Sequence, residues 1–491
     1  MRSHSSGWQK RFGWTFVLLL FSSSIGFAAL PKKVDVLIIG AGLSGLSTAY
    51  ELKKNTKLSY LILEGSPRVG GRVRTVRYQR PGEPLISADS GMEEYWESNP
   101  AVDLMKELKL KLRSDFAASS IRLEGKLEKL DPEDDSESFL KRVLNKGEYR
   151  ELQSFKMEVE PLYQKLKTAV GPLGLGVPPA ELIALKDLSF ETWVRSRVKS
   201  ARVADWIRVS IECEVGTHWN RFSALDGISE FHIFLGKGEL SYRVIGGNEK
   251  FTNALLKSVG QSKVALNHLV KSIETVASNR VKVKFLRTDT HEAGEVEARH
   301  VVSTIPLYRL FDVQFSPPLS EKKAQAIQSQ TWGSYFKAHL FVPQAAEKFW
   351  TQQGTSFLPI LSDSDLGVIY EGNPDEKTPT RIVSLLVTGD TAESFNFMSS
   401  DLVRQRIYAA FEKLWPGFSQ QILGMEFYRI HPRAIAGWPV GRSRFDELSQ
   451  AIRQPEHGVY LSGDFTEGTH SDGAFRSAKR VVHQIQQAEG K

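Results

Sequence analysis

A glycine-rich turn between a strand and a helix constrains this chain most. Residues 34–39 form an apolar run interrupted only by Asp35, as expected for a strand buried on both faces, and residues 43–54 follow with helical spacing. The turn between them consists of Gly40, Ala41, Gly42, Leu43, Ser44 and Gly45. In this pattern Gly40 allows the tight turn, Gly42 lets the backbone approach a diphosphate, and Gly45 lets the helix pack closely on the sheet. We therefore predict that a dinucleotide binds at the helix N-terminus.

An acidic residue supports this prediction. A second predicted strand, 60–63, is followed by Glu64 and Gly65, and Glu64 lies 19 residues after Gly45. A carboxylate at this place can accept hydrogen bonds from both ribose hydroxyls, and it repels a 2′-phosphate. NADP is therefore disfavoured.

The residues after Glu64 narrow the cofactor. They include Arg68, Gly70, Gly71, Arg72 and Thr75. This run resembles the flavin-containing amine oxidase family, whose second strand continues into a Glu-x3-Arg-x-Gly-Gly-Arg-x2-Thr pattern. The resemblance implies FAD and an α/β fold in which a Rossmann-type FAD-binding domain is interleaved with an α+β substrate-binding domain. Guanidinium donors beside a Gly-Gly turn suit phosphate or flavin oxygens.

Further stretches resemble the family's cofactor segments in family order. The contacts to FAD that they imply are made by Ser90, Gly91, Met92, Val270, Gly463, Asp464, Gly473 and Ala474. The resemblance implies that Asp464 contacts the ribityl or phosphate part of FAD. It also implies that the N-terminus of the helix expected to begin at Gly473 faces the flavin pyrimidine ring. We expect non-covalent binding, because the chain's one cysteine, Cys213, lies far along the sequence from the family's attachment position.

The predicted helices and strands fall into two groups that alternate along the chain. Strands near 264–266, 281–285, 300–304 and 458–463, with helices from Gly246-Gly247 and Gly473, belong with the dinucleotide motif. Segment 96–245 is predicted to be mostly helical, with a helix start at Asn99-Pro100 and helical periodicity over 140–169. Segment 311–440 is predicted to hold strands 335–342 and 381–388 and a helix over 401–414. We therefore expect the FAD-binding domain at 29–95, 246–310 and 441–491, and the substrate-binding domain at 96–245 and 311–440.

The first 28 residues have the pattern of a signal peptide. Arg2, Lys10 and Arg11 precede an uncharged apolar stretch over 15–30, which is shorter than a membrane-spanning helix and contains several serines. Small residues at Gly26 and Ala28 favour cleavage after Ala28. We therefore expect export to the periplasm or the medium, with no stable membrane span after cleavage, and leave open whether the route is Sec or twin-arginine.

Composition and charge point to an ordinary folded protein. Hydrophobic residues make up 41% of the 491 residues and charged residues 25%, with a net charge of +7. The basic residues are spread along the chain, which disfavours nucleic acid as a partner. No metal site is expected. The expected partners are a small-molecule amine and dioxygen.

The family resemblance also implies the chemistry. In this family a neutral amine gives hydride to the flavin, the imine hydrolyses, and dioxygen is reduced to hydrogen peroxide. Residues 332–337 resemble the segment in which a lysine, here Lys337, hydrogen-bonds through water to the flavin. An exposed strand lysine is the alternative. Tyr335, in the same segment, and Trp219 are candidate pocket aromatics, although an aromatic side chain near a helix is more often part of the core.

The sequence departs from the best-known family members around the substrate. Monoamine oxidases have two tyrosines that flank the amine, and His470 and Trp438 stand near those places here. Glu93 and Glu94 follow Gly91, where amino-acid oxidases tend to carry an arginine. Acids near the flavin favour a polycationic amine, unless both merely form surface salt bridges.

Two other functions remain open from the sequence. The stretch 433–464 also resembles desaturases and protoporphyrinogen-type oxidases, which act on large apolar substrates. A flavoprotein without catalytic activity is the second alternative.

Overall fold

A computed structural model describes residues 30–116, 118–171, 176–277 and 280–490. The predicted signal peptide, 1–28, lies outside the described residues. Within the described ranges, no helix has the length and apolar character that crossing a membrane requires.

A large sheet carries the dinucleotide motif. Its parallel strands, in spatial order, are Val264–Ala265, Tyr60–Leu63, Lys33–Ile39 and Ala293–Ser303, and Val459–Leu461 pairs with the last of these. Beyond Ala293–Ser303 the sheet continues through Arg280–Arg287, His268–Ala277 and Gln314–Ser316. The strands predicted for this sheet are confirmed. The carboxyl ends of its parallel strands meet at one edge, which is where ligands bind in open α/β sheets.

Three helices cover one face of this sheet: Leu43–Asn55, Glu249–Val259 and Ser471–Ala488. Their apolar sides form one core with the buried strands, in which Leu46, Phe251 and Phe475 pack near Ile38. Phe251 and Phe475 stack with ring centroids 5.9 Å apart. Core packing therefore holds together helices from three distant parts of the sequence.

A second, mostly antiparallel sheet has seven strands among the described residues. Its strands, in spatial order, are Gly424–Tyr428, Tyr335–Pro343, Thr380–Thr388, Val368–Glu371, Ile360–Ser362, Ser120–Leu123 and Lys126–Glu128. Helices Gly389–Phe397 and Ser400–Leu414 add to its core. Two of these strands come from the segment predicted to be mostly helical. Sequence reasoning missed them because both are short and half polar.

Two helices of the segment 96–245 begin at capping residues, as standard capping rules lead one to expect. Asn99 accepts a hydrogen bond from Ala101 N at 2.9 Å, so helix Pro100–Glu107 begins as predicted. The single helical pattern over 140–169 is wrong in one respect, because it is two helices, Ser136–Val143 and Lys146–Val170. The break falls where Asn145 caps the second helix, with its side chain accepting from Gly147 N and Glu148 N.

The remaining elements are short or connect these layers. The other helices are Ala180–Ile183, Phe190–Arg195, Ala201–Val215, Ala224–Glu230, Leu307–Leu310, Glu321–Gln328, Glu447–Arg453 and Asp464–Glu467, with 3-10 turns at Ala184–Asp187, Phe231–Phe234, Gln261–Lys263, Gln344–Phe349 and Ser419–Gln421. The other strands are Thr75–Tyr78, Ile86–Asp89, Tyr95–Trp96, Leu112–Phe116, Leu240–Val244, Thr331–Gly333, Thr351–Gln352, Thr355–Ser356 and Ile435–Gly437. The division of the two domains into five segments stays a prediction.

Candidate active site

The glycine turn 40–45 is tightly packed at Gly45 and open at Gly42. Gly40 has φ +104°, and a Cβ on Gly45 would lie 1.9 Å from the carbonyl oxygen of Gly40. A Cβ on Gly42 would instead have Gly71 Cα, at 3.8 Å, as its nearest neighbour. Gly42 also caps helix Leu43–Asn55. The turn therefore leaves open space only on the side where a diphosphate could approach the helix N-terminus.

Glu64 is held in place by the turn itself. Its Oε2 accepts a hydrogen bond from Ala41 N at 2.6 Å, and its Oε1 accepts one from Ser66 N at 2.9 Å. The backbone N–H of Ala41, predicted as a cofactor contact, therefore donates its hydrogen bond to Glu64 within the protein. The carboxylate is fixed in position at the strand end.

The two arginines of the Gly-Gly turn have different surroundings. Arg68 donates to the carbonyl oxygens of Val69 at 3.0 Å and Val73 at 3.2 Å, so it braces the turn. Arg72 reaches across the molecule and donates from Nη1 and Nη2 to the two carboxylate oxygens of Asp464, both at 2.7 Å. This bidentate pair joins the first and last parts of the FAD motif.

A cavity of about 1070 Å³ runs along these groups. Its volume is slightly above the range of roughly 300–1,000 Å³ typical of ligand pockets, which suits a dinucleotide with a substrate beside it. The predicted site residues that line it are Gly40, Gly42, Leu43, Ser44, Glu64, Gly65, Arg68, Gly70, Gly71, Arg72, Gly91, Met92, Glu93, Glu94, Val270, Tyr335, Lys337, Gly463, Asp464, His470 and Ala474. Their individual contacts with FAD and substrate stay predictions.

Some predicted cofactor contacts do not line the cavity: Ala41, Gly45, Ser90 and Gly473. Ser90 is fully buried and hydrogen-bonds through its amide to the carbonyl oxygen of Arg74 at 2.9 Å. A Cβ on Gly473 would lie 2.4 Å from the carbonyl oxygen of Gly468. These four residues therefore lie outside the cavity lining. The last helix begins at Ser471, earlier than the predicted start at Gly473.

The two tryptophans proposed for the substrate pocket also lie away from the cavity. Trp438 is buried and donates from Nε1 to Ser449 Oγ at 3.0 Å. Trp219 is fully buried and packs edge-on against Phe190, with ring centroids 6.5 Å apart. Both predictions are corrected, because these side chains are core residues. From the segment that precedes Trp438, the cavity is lined instead by Ile430, His431, Ala434 and Ile435.

His470 lies at the start of the last helix and lines the cavity. Its Nε2 is 3.1 Å from Glu230 Oε2, and Thr469 Oγ1 donates to Glu230 Oε1 at 2.6 Å. Burial disfavours the charged imidazole, but the Glu230 carboxylate outweighs burial and raises the pKa of His470 to about 9. The ring is therefore a cation at neutral pH.

Lys337 and Glu93 form a buried ion pair on the cavity wall. Lys337 Nζ donates to Glu93 Oε2 at 2.6 Å, and only 1% of the lysine is exposed. Tyr370 Oη also donates to Glu93, at 2.8 Å, and Arg243 Nη1 lies 3.1 Å from its other oxygen. Arg243 Nη2 is 3.6 Å from Glu94. The expected alternatives for Glu93 and Glu94 were a substrate contact and a surface salt bridge; both acids form ion pairs, and these lie partly buried beside the cavity.

Tyr335 and Glu214 form another part of the cavity wall. The Tyr335 hydroxyl donates to the carbonyl oxygen of Glu214, and both residues line the cavity. Burial raises the pKa of the Glu214 carboxyl to about 7. Trp96 Nε1 lies 3.4 Å from its Oε2, and no described residue forms an ion pair with it.

Sequence reasoning missed four residues that line this chamber, Glu214, Arg243, Tyr370 and His431, and also Glu230, which pairs with His470. They come from five separate stretches of sequence, and none stands in a motif. Cys213 also lines the cavity, and burial raises the pKa of its thiol well above the ordinary value, so it remains a neutral thiol.

The chain matches known flavoproteins over nearly its whole length. The sequence profile of the family described as flavin containing amine oxidoreductase matches residues 43–486. An L-amino-acid oxidase of Sistrurus catenatus edwardsii is 22% identical, with 94% of this chain and 89% of that protein covered. A probable flavin-containing monoamine oxidase A of Dictyostelium discoideum is 22% identical, with coverage of 92% and 97%.

Solved structures agree in fold. A putrescine oxidase bound to putrescine superposes with a TM-score of 0.76 at 22% identity and covers 93% of this chain and 99% of its own. Cyclohexylamine oxidase from Brevibacterium oxydans gives a TM-score of 0.71 at 20% identity, covering 94% and 100%. The α/β fold and FAD are as predicted, and the enzyme is an oxidoreductase that uses dioxygen. The chain belongs to the flavin-containing amine oxidoreductase family.

Proposed function

We propose that this enzyme oxidises an aliphatic amine, and that a substrate with a second ammonium group is preferred over an amino acid. The observation that carries the proposal is the Glu214 carboxylate, which lines the chamber, accepts a hydrogen bond from Trp96 Nε1 and forms no ion pair with any described residue. FAD, when bound, supplies the hydride acceptor and passes the electrons to dioxygen. The chain's own residues bind and orient the amine.

The charges around the chamber support an amine over an amino acid. Lys337, Arg243 and His470 each have a carboxylate partner within the protein. A substrate carboxylate would therefore have to compete with a carboxylate that is already in place. Glu214 has no ion-pair partner among the described residues, and the charge of His470 lowers its pKa without overcoming burial, so a substrate ammonium can pair with it.

This changes the basis of the polyamine prediction. Glu93 and Glu94, on which that prediction was built, are neutralised by Lys337 and Arg243. Glu214 takes their place in the proposal. Its pKa of about 7 means that the carboxylate is mostly ionised only above neutral pH, so diamine binding should weaken as the pH falls below 7.

The test is anaerobic mixing of the purified enzyme with putrescine, spermidine, butylamine, tyramine and a panel of amino acids, followed by flavin absorbance. We expect putrescine or spermidine to bleach the flavin at lower concentration than butylamine. In Glu214→Gln this preference should shrink by about tenfold, since a tenfold change corresponds to about 1.4 kcal/mol, the size of one charged hydrogen bond. Bleaching by amino acids alone would refute the proposal.

Glu212→Gln is the matched control. Glu212 stands on the same helix, Ala201–Val215, but pairs with Arg208 at 3.2 Å and does not line the cavity. It should leave the preference among amines unchanged. An equal loss in both variants would indicate that the helix, and not the Glu214 carboxylate, determines the preference.

We also propose that the protein is exported and that residues 1–28 are removed. The support is the basic, then apolar, then small-residue order of this segment. N-terminal sequencing of the protein purified from the periplasm or medium should begin at Ala29. Recovery only from the cytoplasm, with Met1 retained, would refute export.

A further inference from the structure

The short helix Asp464–Glu467 carries two buried carboxylates that have different partners. Asp464 lines the cavity and holds the guanidinium group of Arg72. Glu467 does not line the cavity, and its partner is Arg480 on the last helix. Because a single helical turn joins the two carboxylates, the position of Glu467 fixes the position of Asp464.

Glu467 and Arg480 form an ion pair that is sealed from solvent. Arg480 Nε donates to Glu467 Oε1 at 2.6 Å, and both side chains are 0% exposed. Arg453 Nε lies 3.5 Å from the same oxygen. Transfer of an ion pair from water into the protein interior is unfavourable, and apolar side chains in its place are often at least as stable. The free energy of folding alone therefore does not account for this pair.

Three buried guanidinium groups also hold the backbone of the turn. They donate to carbonyl oxygens, Arg480 Nη2 to Leu461 at 2.8 Å, Arg453 Nε to Thr466 at 2.8 Å and Arg444 Nη1 to Glu467 at 3.1 Å. Leu461 ends the last strand of the first sheet. Guanidinium donors form a rigid, planar fork, so each bond constrains direction as well as distance. The turn is therefore fixed, on its buried side, to that strand end and to helices Glu447–Arg453 and Ser471–Ala488.

This support lies behind the cavity wall. The cavity lining includes residues 463–465 and 469–471, on either side of Glu467. It does not include Glu467 or any of the three arginines, Arg444, Arg453 and Arg480. These four residues can therefore affect a ligand of the cavity only through the backbone that they hold.

We propose that Glu467 is a positioning residue for FAD: held by Arg480, it sets the place of Asp464, and Asp464 in turn holds the Arg72 guanidinium at the cavity wall. A guanidinium that is fixed in advance loses less conformational freedom when it binds a phosphate or flavin oxygen, which raises the affinity for the cofactor. The role concerns the cofactor, so it does not depend on which amine is oxidised.

The test is a dilution series of the holoenzyme, in which the fluorescence of free flavin gives the Kd of FAD well below the Tm. Glu467→Gln should raise this Kd about tenfold, the effect of losing one charged hydrogen bond at the site. Where this variant does not fold, Glu467→Asp keeps the charge on a side chain one methylene shorter, and it should raise the Kd about threefold.

Glu456→Gln is the matched control. Glu456 pairs with the buried Lys323 at 3.2 Å in the same region of the fold, but it lies outside the turn and does not line the cavity. This variant should lower the Tm and leave the Kd of FAD within about twofold of the wild type, because it removes a buried charge without moving the turn.

Combination with Asp464→Asn separates positioning from a merely structural role. Since Glu467 acts through Asp464, Glu467→Gln should change the Kd of FAD by less than about threefold once Asp464 has lost its charge. Independent effects would multiply instead, so that the two single changes would account for the Kd of the double variant.

Three results would overturn the inference. They are a wild-type Kd of FAD in the Glu467 variants, an equal rise of the Kd in Glu456→Gln, and an effect of Glu467→Gln that persists undiminished beside Asp464→Asn. Failure of the proposed function is distinguishable, because no amine enters these measurements.

Discussion

Glu230 and His470 face each other across 3.1 Å at the start of the last helix. Glu230 ends helix Ala224–Glu230, and His470 precedes helix Ser471–Ala488, so the ion pair joins a helix from the middle of the chain to the last helix. The helix dipole disfavours a cation at this place, which makes the carboxylate necessary for a charged imidazole.

This pair should give the enzyme a characteristic pH dependence of stability. The pKa of His470 is raised from 6.5 to about 9, so its contribution is complete below about pH 6.5 and is lost as the pH rises through 9. The pKa of Glu230 is lowered from 4.5 to about 2 by His470, in spite of burial, so its contribution is lost only as the pH falls through 2.

Glu230→Gln should therefore destabilise the protein by about 3 kcal/mol at pH 6, as expected when one partner of a buried pair is removed. The difference from wild type should shrink above pH 9, where His470 is neutral in both proteins. Thermal melts between pH 5 and pH 10 would measure this. A difference that stays constant over that range would contradict the assigned charge of His470.

The glycines of the first turn should separate folding from cofactor binding. Gly45→Ala places a Cβ 1.9 Å from a backbone oxygen and should destabilise the protein by about 3 kcal/mol or prevent folding. Gly42→Ala meets nothing closer than 3.8 Å, and its φ of −74° suits alanine. It should leave the melt of the FAD-free protein unchanged while weakening FAD binding at least tenfold.

Circular dichroism of the FAD-free proteins and fluorescence titration with FAD would compare the two glycine variants. Wild-type FAD affinity in Gly42→Ala would show that the diphosphate does not pass this glycine.

The bidentate pair between Arg72 and Asp464 should matter for FAD retention. Asp464→Asn removes the charge that holds the guanidinium, so FAD should be released several degrees lower in a melt followed by flavin fluorescence. Arg77→Gln is the control, because the Arg77–Glu249 pair, at 2.9 Å, joins similar groups on the surface, where such pairs contribute about 0–1 kcal/mol. Equal shifts in both variants would argue against a role of Arg72 at the cofactor.

Trp438→Phe should affect stability and not substrate. The substitution removes the hydrogen bond to Ser449 Oγ and should cost about 1 kcal/mol. The KM for the best amine should stay within about twofold of the wild type. A large rise in KM with an unchanged Tm would return Trp438 to the substrate wall.

The sequence by itself determined the nucleotide-binding fold and the cofactor. Gly40, Gly42 and Gly45 act through backbone geometry, and Glu64 lies at a fixed distance along one strand-turn-helix unit, so local spacing carries the information. For the same reason, most strands and the cap at Asn99 were predictable from neighbouring residues.

Only the tertiary structure decided the charges of the chamber. Glu93, Arg243 and Lys337 are far apart in sequence, and whether an acid is free or neutralised depends on which cation the fold brings beside it. Trp438 looked like a wall residue and is core, while Glu214 and His431 carried no motif and line the cavity. Substrate preference in this enzyme depends on long-range pairing of buried charges, which no local pattern encodes.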